Sequence, residues 1–268
     1  MTARPGDAVA DAQPPIEVGR VLSESFALLG DRAGLVFGLT LITILPSRLL
    51  ILALATQGVS LTDPTRSLVT YSLAMLGVTV LASMMGVFGN GALIGAALAR
   101  RDGKSVGLFE TLMPAVRRLP IMLPVGLIHT IAFLVGLMLL LVPGLILGAM
   151  WAVVGPILVA EQTGIVATFG RSQELTRHTR WRIFLLMLLT GIGTSLVHWL
   201  MDHLGLLLFD SASPELTFAA EPAPFLFETL TLLLTNGFGL AMICTLYIAL
   251  IERYGDGPVT SRLGEIFA

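Results

Sequence analysis

Apolar residues follow one another in long uncharged runs, and they do not show the alternation of a half-buried strand. A bilayer core about 30 Å thick needs roughly 20 helical residues, so runs of that length predict membrane-spanning helices. Five runs occur, at residues 33–56, 68–99, 119–160, 183–201 and 225–251. The first is interrupted only by Arg48, and the last contains Glu228 near its start. The pattern predicts an all-α, polytopic integral membrane protein.

The third run is too long for one crossing. Residues 119–160 would form a helix of about 63 Å at a rise of about 1.5 Å per residue. Proline is tolerated in a first helical turn and glycine interrupts helices, so a turn is expected at Val142-Pro143-Gly144. This division gives six predicted spans. Pro156 then lies inside the fourth span and predicts a kink near its cytoplasmic half, because proline lacks a helix donor.

The distribution of Lys and Arg predicts the orientation, since cytoplasmic loops retain these residues. With six spans and the N-terminus inside, 14 of the 16 Lys and Arg residues fall on the cytoplasmic side. The sequence therefore predicts a multi-pass membrane protein with both termini in the cytoplasm. Residues 1–15, rich in Ala, Pro and Asp, are expected to form a disordered cytoplasmic tail. Residues 16–268 are expected to form a single six-helix membrane domain.

Short amphipathic segments precede the odd-numbered spans, at residues 18–31, 106–118 and 165–177. Each ends near basic residues, so each is expected to lie in the inner interface, where Arg meets anionic headgroups. Phe26, Leu112 and Phe169 would enter the acyl boundary. Anionic lipids are thus the expected partners. Two explanations of the three segments remain open. In the first, the chain is a threefold repeat, in which each copy is an interfacial helix followed by a two-span hairpin. In the second, the segments reflect only the fact that basic juxtamembrane helices are common.

Composition agrees with a membrane protein and excludes other classes. The chain is 55% hydrophobic and only 13% charged, which is too little charge to cover a soluble globule of 268 residues. No basic patch with interleaved aromatic residues appears, so nucleic acid is not an expected partner. The one cysteine, Cys244, lies in an apolar run and has no partner for an intrachain disulfide.

Ionisable residues within spans are functional candidates because they are costly in lipid. Arg48, His198, Asp202 and Glu228 all fall toward the outer side of the predicted bundle. His198 and Asp202 are four residues apart and share a helix face. The group is interpreted as a charge cluster that closes the outer end, with Arg48 paired to Asp202 or Glu228. A metal site would lack a definite third ligand, so no metal and no cofactor are predicted.

A second candidate site follows Pro156 at the end of the fourth span. Glu161 leaves the membrane where a nearby arginine could pair with it, and the candidates are Arg171, Arg180 and Arg182. Gly164 is expected to end the helix. We interpret the group as a structural clamp between the fourth span and the following interfacial helix, with a ligand site as the alternative.

Two stretches resemble a known family. They read VPGLILGAMWAVVGPILVAEQTGIVATFGRSQELTRHTRWRIF, from Val142, and VGRVLSESFALLGDR, from Val18. Both are similar to the uncharacterised YciC-like bacterial membrane proteins and to the membrane domain that accompanies some glycerophosphoryl diester phosphodiesterases. The resemblance implies a six-helix inner-membrane protein with a poorly defined role. Nothing in the sequence matches the catalytic barrel of those phosphodiesterases, so their hydrolase activity is not expected here.

Three functions remain open from the sequence. The first is a non-enzymatic inner-membrane protein that organises lipid or a partner protein at the cytoplasmic leaflet. The second is a transporter of a small solute or lipid, with the Arg48 group as its pathway. The third is a membrane enzyme acting on lipid headgroups, although no phosphate loop, nucleophile motif or acid/base pair appears. A cavity that reaches the middle of the membrane would favour transport, and a closed bundle would favour the first function.

Overall fold

A computed structural model describes residues 16–56, 68–101, 108–139, 141–209 and 222–254. The predicted tail at residues 1–15 lies outside these ranges. The described residues are helical, without strands. The helices are α1 (Val18–Asp31), α2 (Ala33–Thr56), α3 (Leu68–Arg101), α4 (Leu108–Leu139), α5 (Leu141–Met150), α6 (Val154–Ala160), α7 (Ile165–Thr176), α8 (Arg180–Phe209) and α9 (Pro222–Tyr254).

Five of these helices are long and apolar enough to cross a membrane, namely α2, α3, α4, α8 and α9. This agrees with a multi-pass membrane protein. The remaining apolar segment, Gly144–Ala160, is shorter and is divided between α5 and α6. The number of spans is therefore five by helix length, and a sixth span requires α5 and α6 to cross together.

The hairpin in the long third run lies earlier than the sequence predicts. The helix α4 ends at Leu139 and α5 begins at Leu141, so residues 142–144 are already in the first turn of α5. Pro143 is tolerated there because the first N–H groups of a helix have no intrahelical partner. The two helices also come close: a Cβ on Gly136 would lie only 2.9 Å from Gly144 Cα.

The segment after the hairpin is broken between α5 and α6. Residues 151–153 form a turn, and Pro156 is the third residue of α6. Proline has no N–H to donate to the carbonyl of Ala152, and its ring crowds that carbonyl. The break therefore lies one turn before the proline. All seven residues of α6 are buried, and a Cβ on Gly155 would lie 2.7 Å from the carbonyl oxygen of Val87 in α3.

Two of the three predicted interfacial segments form separate helices. The helix α1 buries Val21, Ser25 and Leu28, mainly against α9, and leaves Phe26 exposed. The segment 106–118 is different, since its described residues continue without a break into α4. The helix continues into the span even though Pro114, Pro120 and Pro124 lie within it.

Contacts between distant parts of the chain join helix ends at one end of the bundle. They link α1 to the end of α9, the start of α8 to the residue before α1, and the first part of α4 to the residues after α6. We call this the basic end of the bundle. The contacts are Arg20 to Glu252 at 3.1 Å, Arg182 to the Ile16 carbonyl at 2.8 Å, and Arg118 to Gln162 at 3.0 Å.

Candidate functional sites

The break between α5 and α6 is capped by side chains from α7. In a continuous helix the Met150 carbonyl would accept a hydrogen bond from Val154 N–H, but that N–H points to the Trp151 carbonyl at 3.3 Å. The Ser172 hydroxyl donates to the Met150 carbonyl at 2.8 Å. The Thr176 hydroxyl donates to the Ser172 carbonyl at 2.8 Å and also lies 3.3 Å from the Met150 carbonyl. Both side chains are fully buried. The helix α7 therefore satisfies a backbone group that the break leaves free.

An ionic contact holds α6, α7 and α9 together beside this cap. Arg171 Nε donates to Glu161 Oε2 at 3.0 Å, and the Tyr247 hydroxyl donates to Glu161 Oε1 at 3.2 Å. Arg171 Nη1 also donates to Glu174 at 3.3 Å. The Glu161 side chain is only 13% exposed, so its charge depends on these donors. This geometry fits the structural clamp that the sequence predicts.

The other arginines of the predicted clamp do not reach Glu161. Arg182 donates instead to the carbonyl of Ile16, at the start of α1. Arg180 Nε is buried and has no hydrogen-bond partner among the described residues. The clamp therefore consists of one predicted pair, Glu161 with Arg171, together with contacts from α9 that the sequence did not indicate.

The end of α6 also differs from the expectation. The chain turns at Gln162, whose φ of 52° lies in the left-handed region, and not at Gly164. Arg118 from α4 donates to the side chain of Gln162 at 3.0 Å, which helps to hold this turn. Gly164 instead caps the start of α7 in an extended conformation. The contact with α4 thus stabilises a left-handed backbone conformation that glycine usually adopts at a helix end.

At the opposite end, Arg48 of α2 forms a bidentate ion pair with Glu228 of α9. The two hydrogen bonds are 3.0 Å and 2.7 Å long. The Arg48 guanidinium also lies 4.3 Å from the centre of the Phe225 ring. The side chains of Arg48 and Glu228 are 5% and 16% exposed. The two parallel hydrogen bonds to Glu228 and the Phe225 ring over one face hold the buried guanidinium in a fixed position.

His198 and Asp202 do not join this pair. His198 Nε2 lies 3.2 Å from the Thr235 hydroxyl of α9, and Asp202 is exposed on the surface of α8. The predicted four-residue cluster is therefore divided into the Arg48–Glu228 pair, a separate His198 contact and an exposed carboxylate. Among the described residues, no three His, Cys, Asp or Glu side chains lie close enough to hold a metal ion.

A cleft of about 480 Å³ lies between α2, α3, α8 and α9, and the sequence interpretation missed it. Its polar lining consists of hydroxyl and amide side chains, with none ionisable among the described residues. Apolar side chains from the same helices lie between these polar side chains. The polar lining residues are Thr43, Ser47, Asn90, Thr190, Thr194, Thr235 and Asn236. The only trace of the cleft in the sequence is the spacing of two hydroxyl pairs, Thr43/Ser47 on α2 and Thr190/Thr194 on α8, each four residues apart and so on one helix face.

The described residues form an all-helical protein with five helices apolar enough to cross a membrane, a broken, internally capped segment, a buried ion pair and a polar cleft. The chain belongs to a family described as Domain of unknown function (DUF7847), whose model matches residues 32–250. The matched part includes α2 to α8 and nearly all of α9, and leaves α1 outside. No curated protein and no solved structure matches the chain.

Proposed function

We propose that the protein is a non-enzymatic module of the bacterial inner membrane that organises lipid or a partner protein at the cytoplasmic leaflet. The observation that carries this proposal is the exposed surface of α7 and the start of α8. Val166 at the start of α7 and Trp181 at the start of α8 are 84% and 79% exposed, and Arg177 and Arg182, within four residues of Trp181 in sequence, are exposed too. Tryptophan and arginine together are typical of the membrane interface, where the ring meets headgroups and the charge attracts anionic lipid.

The proposal includes six spans with both termini in the cytoplasm. Gln162, just after α6, contacts Arg118 in the first part of α4, whereas α5 starts beside the other end of α4. This supports a single crossing by α5 and α6 together. Arg48 near the end of α2 pairs with Glu228 near the start of α9, which supports an even number of crossings in all. The excess of Lys and Arg in the proposed inner loops supports a cytoplasmic basic end.

Reporter tags test this topology directly. Tags at Met1 and Ala268 are expected to report cytoplasmic exposure, and a tag inserted between Asp210 and Glu221 is expected to report the outside. A protein fused to a reporter that is active on only one side of the membrane gives the measurement. Opposite sides for the two termini would mean that α5 and α6 do not cross together.

Lipid selectivity tests the function. Purified protein is placed in nanodiscs that contain phosphatidylglycerol and phosphatidylcholine, and the retained lipids are measured by native mass spectrometry. We expect enrichment of phosphatidylglycerol, because each basic side chain near an anionic surface contributes about 1 kcal/mol. The Arg117→Gln/Arg177→Gln variant should lose at least roughly tenfold of this enrichment.

The matched control is His203→Gln, an exposed change toward the end of the bundle where Arg48 and Glu228 lie. It should retain the enrichment of the unaltered protein. Equal retention of both lipids by the unaltered protein would remove the lipid part of the proposal and leave a partner protein as the remaining occupant of this surface.

The second candidate function, transport of a small solute or lipid, is favoured by the polar cleft. The cleft lies along the middle of α2, α3, α8 and α9, and a broken helix occurs in the same bundle. Transporters commonly bind their cargo near the membrane midplane beside interrupted helices. The enzyme alternative has no comparable observation in its favour among the described residues. The resemblance to YciC-like proteins stays a prediction and supplies no activity.

A further inference from the structure

The polar cleft opens sideways at the middle of its helices. Ala82 of α3, Gly191 of α8 and Asn236 of α9 line it and are exposed. The helix α3 packs mainly on α4, α2 and α6, and α8 packs mainly on α9 and α5, so α3 and α8 form separate walls. In a bilayer this depth is occupied by acyl chains, so the cleft opens toward lipid rather than toward water.

The cleft offers more hydrogen-bond acceptors than donors. The hydroxyls of Thr43, Ser47 and Thr194 each donate to a carbonyl of their own helix, at 2.8 to 2.9 Å. The amide nitrogen of Asn236 donates to the Leu232 carbonyl at 2.9 Å in the same way. What these side chains still present is oxygen with unused lone pairs, together with the second amide N–H of Asn236.

Two further oxygens in the lining lack partners. Asn90 Oδ1 and Thr190 Oγ1 are buried and have no hydrogen-bond partner among the described residues. Asn236 adds an exposed amide in the middle of an apolar helix, where an unsatisfied polar group is costly. The Thr190 hydroxyl also has an unused proton, so a molecule whose own hydroxyl can both donate and accept would satisfy these groups.

The occupant should carry no net charge. None of the described lining residues is ionisable. The acidic side chain of Glu228, further toward the start of α9, is already engaged by Arg48. A buried ion without a partner of opposite charge is strongly unfavourable in a low-dielectric interior. An ammonium group or a metal cation is therefore disfavoured, and a hydroxyl is the suitable donor.

The rest of the lining suits hydrocarbon. Leu240, Met187, Met242 and Ile243 contribute apolar surface, and methionine adapts readily to flexible chains. The volume of about 480 Å³ is within the usual range for a small-molecule site, which is about 300–1,000 Å³. We propose that this cleft binds an uncharged membrane lipid through a hydroxyl group, with diacylglycerol as the simplest member of that class. This goes beyond the anionic-lipid surface at the basic end.

The test compares two lipid probes that differ at one hydroxyl group, which is free in the first probe and methylated in the second. Purified full-length protein is titrated with 1,2-dioctanoylglycerol and with its 3-O-methyl ether, and binding is measured by native mass spectrometry. The hydroxyl probe is expected to bind about tenfold more tightly, which corresponds to about 1.4 kcal/mol. The ether has the same chains and keeps its oxygen, but it cannot donate to the acceptors of the cleft.

Two variants test whether the preference for the hydroxyl probe arises in the cleft. Asn236→Leu/Thr194→Val removes two acceptor groups at exposed or half-buried positions, so the fold should be retained. It is expected to reduce the preference for the hydroxyl probe to about twofold or less. Thr229→Val on α9 changes a half-buried threonine outside the cleft lining and should leave the preference unchanged. Retention of the fold is checked from the unfolding temperature.

Four outcomes would overturn the proposal. The first is equal binding of the two probes, and the second is a preference that survives in the cleft variant. The third is a stable dimer in which Asn236→Cys forms a disulfide with its counterpart, since a second copy would then fill the cleft. Glycerol binding as tightly as dioctanoylglycerol would likewise replace the lipid with a small solute. None of these outcomes depends on phosphatidylglycerol enrichment, so this inference and the proposed function can fail separately.

Discussion

Glu228→Ala is expected to lower the free energy of unfolding by about 3–5 kcal/mol, because it leaves a buried guanidinium without its carboxylate. Arg48 is only 5% exposed on its side chain and cannot readily turn to solvent. Both hydrogen bonds to Glu228 would be lost together, and the contact with the Phe225 ring does not neutralise a charge. Unfolding of the purified protein in mixed micelles gives the measurement.

Removal of both charges should be much less harmful. Arg48→Met/Glu228→Leu replaces the pair with apolar side chains of similar size, which suits the surroundings and is often neutral or stabilising. Arg48→Leu alone should lie between the two, since Glu228 is more exposed than Arg48 and keeps some access to solvent. A double variant as unstable as Glu228→Ala would show that the pair is not the cause of the loss.

Asp202→Ala is the matched control, because Asp202 is the alternative partner that the sequence offers. It is exposed on α8, so its removal should change the free energy of unfolding by no more than about 0.5 kcal/mol. A loss for Asp202→Ala as large as that for Glu228→Ala would mean that Arg48 uses the other carboxylate in the membrane.

The choice between these two carboxylates could not be made from the sequence. Hydropathy places Arg48, Asp202 and Glu228 toward the same side of the membrane, and the cost of a charge in lipid predicts that Arg48 is paired. Which acid pairs depends on how α2, α8 and α9 pack. His198 contacts Thr235 of α9, whereas Asp202, one turn further along the same face of α8, is exposed, and the sequence does not indicate where along this face α9 covers it.

The cleft was beyond prediction for a related reason. Thr43, Ser47 and Thr194 look like ordinary helix residues, because a hydroxyl that bonds to its own backbone is common in spans. A cleft forms only because α3 and α8 pack on different neighbours. By contrast, each of the five apolar runs coincides with a helix long and apolar enough to cross a membrane, because length and composition decide that property, whereas the predicted count of six spans is not confirmed.

The broken segment shows where the sequence was informative and where it was not. Pro156 predicts an interruption, because any proline in a helix interior removes a donor. The sequence does not indicate which side chains then satisfy the freed carbonyl. Ser172 and Thr176 are on one face of α7 at i and i+4, but that spacing serves equally for a solvated face. Their role depends on α7 folding back over Met150.

The Ser172→Ala/Thr176→Val variant is expected to lower the free energy of unfolding by roughly 1–3 kcal/mol, the cost of an unsatisfied buried carbonyl. Both replacements nearly preserve volume, so the loss would come from the missing donors to Met150 and not from a cavity. Ser172→Thr keeps a hydroxyl and tests whether the donor is sufficient. Unfolding in mixed micelles gives the free energies, and Ser23→Ala, at an exposed hydroxyl on α1, is the control.

Hydrogen exchange distinguishes this cap from a general packing effect. If α7 holds the break closed, loss of the two hydroxyls should speed amide exchange in residues 150–157 and in α7 while α2 and α4 stay protected, because local opening precedes global unfolding. Uniform acceleration over all helices would indicate global destabilisation only. Unchanged exchange with unchanged stability would mean that the Met150 carbonyl finds another donor in the membrane, and the contact with α7 would then not be what closes the broken span.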